Sequence, residues 1–313
     1  MGSVASNSGL TDLGRSFGVK ILVLCCPASD LKTFELNPTK TSVFFATDEM
    51  WRLIALRGIS IDIVSMIQPV SLPLQRSLIR MKSLDEINIP DYDFIIHSFR
   101  DPTQPEIIEW LRKINHCGKP VLNNVIINND FTKRKYLPIL SKHGIGARIV
   151  SEPISTTVEW HDHTFNTSVS KDLRYIRTCV RNNFKHVRDE IITEFTNNSA
   201  GGIRSFFRIG FSMGKCCGGW LYASNDDVLV QKSGLCRHQI PFRMPIRFER
   251  ILESALNETG IDLAHIEGCF VGQRLFIFDI NPYPTSWGQT MTEISEEMVE
   301  LLIQHFDAPR AKV

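Results

Sequence analysis

Short apolar runs alternate with amphipathic segments over the first 125 residues. Apolar runs of strand length predict four strands, at residues 19–26, 59–66, 92–99 and 120–125. Helical periodicity between them predicts helices at residues 48–57 and 104–116, and Gly118 is the expected C-cap of the second helix. Apolar strands separated by helices indicate a parallel sheet that is covered on both faces.

The pattern changes in the second half of the chain. A helix is predicted at residues 132–143, where Gly144 stops it, and a mixed helical pattern rich in Arg and Lys occupies residues 171–194. From Ile203 the period shifts toward two, which is typical of antiparallel strands. The predicted elements are strands at 203–211, 219–223 and 228–232, a helix at 246–259, strands at 263–271 and 274–280 around the Gly272-Gln273 turn, and a helix at 292–306.

Composition excludes several classes of protein. The 313 residues carry a net charge of +1, so bulk charge does not indicate a nucleic-acid partner, and no apolar run has the length of a membrane-spanning helix. Residues 1–18 are rich in Ser and Gly and predict a flexible tail without the apolar region of a signal peptide. Eight cysteines occur without a C-x-x-C motif. These features predict a cytoplasmic protein with reduced thiols.

The candidate chemistry lies on the last two predicted strands. Asp279 and Asn281 are two residues apart on one strand, so their side chains share a face. Pairing across the Gly272-Gln273 turn places Glu267 roughly opposite Asp279. Two carboxylates and a carboxamide form an oxygen site suited to Mg²⁺. The alternative is an Asx turn before Pro282, with no metal.

The run TGIDLAHIEG…GQRLFIFDINPYP, residues 259–284, resembles the closing segment of the ATP-grasp superfamily. The resemblance implies that Glu267, Asp279 and Asn281 hold the Mg²⁺ that binds the ATP phosphates. The segments KPVLNN (119–124) and TKRKYLPILSKHGI (132–145) are similar to the strand and helix that lead into the central domain. TEF (193–195) resembles the adenine-binding hinge, which implies roles for Glu194 and Phe195.

The segment GGIRSFFRIG (201–210) is similar to the strand that carries a phosphate-contacting arginine, which implies a catalytic role for Arg204. The implied fold class is α/β, with an N-terminal parallel-sheet, Rossmann-like domain followed by an ATP-grasp-like α+β domain with a shortened lid. The implied domains are a tail (1–18), an N-terminal domain (19–125), a linker helix with a reduced lid (126–200), and a C-terminal domain (201–313).

The lid region departs from the family pattern. Between Gly146 and Thr193 there is no glycine, and the only lysines are Lys171 and Lys185. The glycine-rich loop that covers ATP phosphates in the family is therefore missing. Lys171 is a candidate for binding the phosphates, together with the basic residues that follow it at helical spacing, Arg174, Arg177 and Arg181. The alternative is a solvated basic stripe.

Two details resemble the inositol polyphosphate kinase branch of the superfamily. DFIIHSFRD (93–101) is similar to an early strand motif of that branch, which implies that His97 and Arg100 face the substrate. DINPYP is closer to its closing motif than to the Glu-x-Asn of ligases, although Ser98 stands where a substrate-binding lysine is expected. Trp287 follows the metal motif and is placed to shape a substrate pocket.

Three functions remain open at this point. The first is an ATP- and Mg²⁺-dependent ligase that joins a carboxylate to an amine through an acyl phosphate. The second is a small-molecule kinase acting on a polyol phosphate, and the third is a non-catalytic ATP-grasp-like binding protein. The expected partner is a small-molecule substrate, with no nucleic acid and no membrane, and a homodimer is left open.

Overall fold

Twelve strands and five helices lie in the described part of the chain. The computed structural model describes residues 18–25, 54, 57–65, 79–97, 105–127, 133–146, 157–161, 190–194, 199–200, 203–224, 238–282 and 292–307. Within these ranges, no helix is long and apolar enough to cross a membrane. The predicted α/β fold class is confirmed, because a parallel sheet precedes a larger antiparallel sheet.

The N-terminal sheet has four parallel strands in the order β3-β2-β1-β4. The strands are β1 (Lys20–Cys25), β2 (Ser60–Ser65), β3 (Ile79–Lys82) and β4 (Phe94–His97). Residues 21–24 of β1 are all fully buried, as expected of a central parallel strand covered on both faces. Helix α1 (Pro105–His116) follows β4 and matches the predicted helix.

In the N-terminal region one predicted strand is wrong and one observed strand was not predicted. Residues 120–125 do not form a strand: Val121 makes only an isolated bridge to Ile95, and the chain then turns into the short helix α2 (Asn124–Ile127). The strand stops because Asn123 adopts a left-handed conformation with φ 56°. Conversely, β3 lies in a polar stretch that carries no strand signal. It forms because its Arg80 and Lys82 pair with the buried Asp62 on β2.

The middle of the chain is described in part. Helix α3 (Lys133–Lys142) confirms the prediction and ends before Gly144, at φ 73°. Strands β5 (Thr157–His161) and β6 (Glu190–Glu194) pair with each other. The helical prediction for 171–194 is therefore wrong for its last five residues, because pairing with β5 holds them extended. Its remainder, and most of the predicted lid and of helix 48–57, lie outside the described residues.

The C-terminal sheet has six strands in the order β10-β9-β8-β11-β12, with β7 beside β8. They are β7 (Ser199–Ala200), β8 (Ile203–Ser212), β9 (Lys215–Ser224), β10 (His238–Phe242), β11 (Leu263–Val271) and β12 (Arg274–Asn281). Helices α4 (Ile246–Thr259) and α5 (Thr292–Asp307) complete this half. The predicted strand 228–232 lies outside the described residues, and β10 was not predicted.

The two faces of the C-terminal sheet differ in chemistry. One face is wholly apolar and contributes Phe207, Ile209, Ile266 and Ile277 to the large core cluster shared with α4 and α5. The opposite face has a small aromatic cluster around Phe206 and a row of charged side chains beside it. A sheet with one buried face and one chemically mixed face positions functional groups without disturbing the core. The candidate site lies on the mixed face.

Candidate functional site

Glu267 on β11 is the direct cross-strand neighbour of Asp279 on β12. Counting pairs outward from the Gly272-Gln273 turn would place Glu267 opposite Phe278. A bulge adds one residue to β12, so the pairing passes from Gly268↔Ile277 to Glu267↔Asp279. The two carboxylates therefore share a face, and the predicted pairing of Glu267 with Asp279 is confirmed.

The next pair along the ladder extends the polar row. His265 lies opposite Asn281, and each is two residues from its neighbour in the first pair. Alternation along a strand places all four side chains on one face of the sheet. His265 is 3% exposed. The sequence analysis did not select this histidine. Its position two residues before Glu267 could have indicated that both side chains share a face.

Arg208 on β8 flanks the row on its other side. It pairs with Glu267 in the β8–β11 register, and its Nη2 donates to the Glu267 carboxylate in an ion pair. The Arg208 side chain is 7% exposed and that of Glu267 is 16% exposed. Charge pairs with so little solvent interact more strongly than surface pairs. Arg208 was also missed from the sequence, where only Arg204, four residues earlier on the same strand, had been selected.

Lys133 at the start of α3 supplies the second cation. Its Nζ donates to Asp279 Oδ1 and also to the Tyr136 hydroxyl at 2.8 Å. Burial alone would lower the pKa of Lys133, but the negative charge of Asp279 outweighs it and the pKa is raised. Burial also raises the pKa of Tyr136. The ammonium is therefore charged and the phenol neutral at physiological pH.

The side-chain oxygens at the strand end are of the kind that bind a hard cation, but two of the three side chains are already bound by cations of the protein. Glu267, Asp279 and the Asn281 amide are the oxygen ligands that Mg²⁺ prefers. In the described residues, no three His, Cys, Asp or Glu side chains are grouped closely enough to hold a metal ion. Each carboxylate is instead engaged by a cation of the protein, Lys133 or Arg208. The donor types therefore match Mg²⁺, but a metal would have to replace these two cations.

A buried aromatic cluster adjoins the charged row on the same face, with Phe206 and Tyr222 only 4% and 6% exposed. Phe206 stacks on Tyr222 with ring centroids 4.8 Å apart and an interplanar angle of 12°. Phe278, the bulge residue next to Asp279, packs 6.5 Å from Phe206, and Cys269 and Phe276 belong to the same cluster. Apolar aromatic side chains thus lie beside two carboxylates and two cations. Sites for ligands with a planar apolar part and an anionic part combine these two kinds of group.

His97 ends β4 and is fully buried. Its Nε2 lies 3.4 Å from the carbonyl oxygen of Asn123, and burial lowers its pKa to about 4. The imidazole is therefore neutral at pH 7. Its predicted contact with a substrate stays a prediction.

The remaining predicted site residues are only partly described. Arg204 lies on β8, where its backbone pairs with Ser199 and Ser224, and Glu194 ends β6. The side chains of both are beyond what the structure describes. Four residues lie outside the described ranges altogether: Arg100, Lys171, Phe195 and Trp287.

No protein-family model matches the sequence, and no curated protein matches it. Solved structures do match the fold. The macrocyclase MdnC from Microcystis aeruginosa MRC, bound with precursor peptide MdnA, is 11% identical with a TM-score of 0.53, covering 91% of this chain and 100% of that one. D-alanine–D-alanine ligase from Bacillus anthracis is 11% identical with a TM-score of 0.52, covering 92% and 97%.

A third match is a RiPP-associated ATP-grasp ligase from Chryseobacterium gregarium in complex with ADP and a leader and core peptide. It is 12% identical with a TM-score of 0.54, and the match covers 93% of this chain and 98% of that one. At such identities the likeness establishes the fold alone. The resemblance seen in residues 259–284 is thereby confirmed: this chain has the ATP-grasp fold.

Proposed function

We propose that this protein is an ATP- and Mg²⁺-dependent ligase that joins a carboxylate to an amine through an acyl phosphate. The observation that carries the proposal is the opposed pair Glu267 and Asp279, followed by Asn281, on the chemically mixed face of the C-terminal sheet. The structural neighbours support ligation, because they include a macrocyclase and two ligases. The proposed location is the cytoplasm.

Glu267, Asp279 and Asn281 would hold Mg²⁺, which neutralises charge on the triphosphate when bound. The aromatic cluster around Phe206 would line the adenine side of the site, because aromatic side chains favour contact with a planar base. Arg204 remains the proposed catalytic cation. Lys171, Glu194 and Phe195 are proposed to contact the nucleotide, and His97, Arg100 and Trp287 are proposed on the substrate side.

The proposed chemistry has two balanced steps. A carboxylate oxygen of the first substrate attacks the γ-phosphorus of ATP, the bond to the bridging oxygen breaks, and ADP leaves. The amine then attacks the acyl carbon, inorganic phosphate leaves, and the amine releases one proton. Arg208 and Lys133 place two positive charges beside the carboxylates of the site, where they can offset charge that develops on the transferred phosphoryl group.

One observation favours a second candidate, a binding protein that does not turn over ATP. Both carboxylates already have a cation partner within the protein, so the described site is charge-balanced without a metal. The missing glycine-rich loop points the same way. In this alternative the ion pairs are permanent structural contacts.

Calorimetry with ATP and Mg²⁺ is the first test of the ligase against the binding protein that does not turn over ATP. Saturable binding at millimolar nucleotide or below supports the enzyme, and absence of binding contradicts both the ligase and a kinase. If ATP binds, product analysis is the second step. ADP and phosphate that form only when a carboxylate and an amine are supplied together support ligation. Transfer of phosphate to a phosphorylated polyol would replace the ligase by the kinase.

A further inference from the structure

Asn123 is a fully buried asparagine in a left-handed backbone conformation, with φ 56°. Non-glycine residues seldom adopt this conformation, and asparagine is among those that tolerate it. It lies between the Val121 bridge and α2, at the point where the N-terminal half meets the C-terminal sheet. Its conformation directs the side chain into that sheet.

Every hydrogen-bonding position of the Asn123 amide is used. Oδ1 accepts from the backbone N–H groups of Asp262 and Leu263, both at 2.9 Å. Nδ2 donates to the carbonyl oxygens of Leu263 at 2.9 Å and Pro282 at 3.2 Å. A primary amide has two acceptor sites and two donor hydrogens, so this set is complete. The backbone N–H of Asn123 adds a bond to Asp262 Oδ2 at 2.6 Å.

These contacts lie at one particular step of the sheet. The β11–β12 ladder ends with His265↔Asn281, and Pro282 has no N–H with which to continue it. Asn123 bonds both the N–H and the C=O of Leu263 and then the C=O of Pro282, so its amide acts as a peptide group inserted between the two strands. It holds Pro282, which follows Asn281 directly and lies three residues beyond Asp279.

We propose that Asn123 is a positioning residue for the metal site: its amide sets where the Asp279–Asn281 strand end lies relative to β11. The proposal rests on the proposed function, because it concerns the orientation of the residues expected to hold Mg²⁺. Asn123 itself touches neither metal nor nucleotide. Residues that orient metal ligands affect metal affinity by about tenfold to a hundredfold when they are replaced.

Two variants test the role. Asn123→Asp keeps the size and the acceptor oxygens but removes the donors to Leu263 and Pro282. Asn123→Gly keeps the left-handed backbone and removes the amide, so it remains available if the first variant does not fold. The matched control is Tyr92→Phe, which deletes a buried hydrogen bond to Asp62 in the N-terminal sheet, remote in sequence from the site.

Two measurements are made on each protein at a temperature where all are folded. The affinity for Mg²⁺·ATP is expected to fall about tenfold in the Asn123 variants and to change less than about twofold in Tyr92→Phe, even where the melting temperatures fall equally. Amide hydrogen exchange without ligand is expected to accelerate over residues 279–281 in the Asn123 variants only. An unchanged affinity together with unchanged exchange would overturn the proposal.

The two measurements also separate this proposal from the proposed function. If the wild-type protein does not bind Mg²⁺·ATP, the proposed function fails, and hydrogen exchange alone decides whether Asn123 positions the strand end. If the wild-type protein binds and the exchange changes while the affinity does not, the strand end is held by Asn123 without consequence for the metal site. That outcome also overturns the proposal.

Discussion

Glu267 and Asp279 face each other across two strands, and each is bound by a different cation from elsewhere in the chain. Arg208 reaches Glu267 from the adjoining strand β8, and Lys133 reaches Asp279 from helix α3. Two carboxylates placed side by side would repel each other. The two ion pairs offset this repulsion and occupy the oxygens that a metal would need.

The first prediction concerns Asp279→Asn. The change should weaken Mg²⁺-dependent nucleotide binding by at least about tenfold, since one of the two ligand carboxylates is lost. It also leaves Lys133 charged and nearly buried without its partner, so the free energy of unfolding should fall by about 3 kcal/mol or more. Calorimetry and denaturant unfolding measure the two effects.

The matched control for that variant is Glu258→Gln. Glu258 also contacts two side chains, Lys142 and His143, but at an exposed position. Nucleotide binding should be unchanged, and the melting temperature should hardly move. Equal binding by the Asp279→Asn protein and the control would show that the metal site is misassigned.

A second prediction concerns Lys133→Met, which removes the cation that competes with a metal for Asp279. In the absence of nucleotide, Mn²⁺ should bind about tenfold more tightly than to the wild-type protein, a gain of ~1.4 kcal/mol. Paramagnetic relaxation of water protons reports the binding. Lys135→Met removes an exposed charge from the same helix and controls for the loss of net charge. Equal Mn²⁺ affinity in both variants would mean that Lys133 does not compete.

Because His97 is buried in its neutral form, we expect the free energy of unfolding to fall as the pH is lowered. Its pKa is lowered to about 4 from an ordinary value of 6.5, so the unfolded chain binds a proton that the folded chain rejects. The stabilising contribution is complete above pH 6.5 and is lost as the pH falls toward 4. The free energy of unfolding should be about 2 kcal/mol lower at pH 5 than at pH 7 from this group.

Urea unfolding at the two pH values tests this. His97→Gln should flatten the dependence between pH 4 and 6.5, whereas His116→Gln, an exposed substitution at the end of α1, should retain it. Identical pH profiles for wild type and His97→Gln would contradict the assignment of the neutral, buried imidazole.

A side chain at Gly219 on β9 should disturb the site through its close contact with β8. A Cβ at this position would overlap the carbonyl oxygen of Arg208 and lie 2.6 Å from the Cα of Ile209. Gly219→Ala must therefore displace β8, and it should reduce the free energy of unfolding by about 3 kcal/mol. Nucleotide affinity should fall too, because Arg208 moves with its strand.

Gly218→Ala is the matched control one residue earlier. Its Cβ would meet Glu297 Oε2 at 3.3 Å and Arg243 Nη2 at 3.7 Å, and both are ends of side chains that can move aside. Thermal unfolding should be nearly unchanged. Similar losses in both variants would indicate a general intolerance of β9 rather than contact with Arg208.

Local pairing made the core of the site predictable. Strands β11 and β12 are joined by a two-residue turn, so the order of residues alone brings Glu267 near Asp279, and the helix at 246–259 was located at the same bounds. The bulge at Phe278 could not be predicted. It depends on the fit of both strands to the core, where Ile277 and Ile280 are both buried.

Errors arose where a distant contact overrode a local preference. Residues 120–125 have the composition of a strand, yet Asn123 turns the chain because it gains hydrogen bonds to residues about 140 positions away. The strand β3 forms in a polar stretch because the buried carboxylate of Asp62 needs Arg80 and Lys82. Neither partner is visible in a local window of sequence.

Alternation and turn chemistry act over a few residues, so the amino-acid order predicted the α/β class, the last two strands and the close placement of Glu267 and Asp279. Folding added the groups that surround those ligands. Lys133 lies 146 residues from Asp279 along the chain, Arg208 lies 59 from Glu267, and Asn123 lies 159 from Pro282. Burial in the folded sheet is what makes those charges and hydrogen bonds strong, because water no longer competes for them.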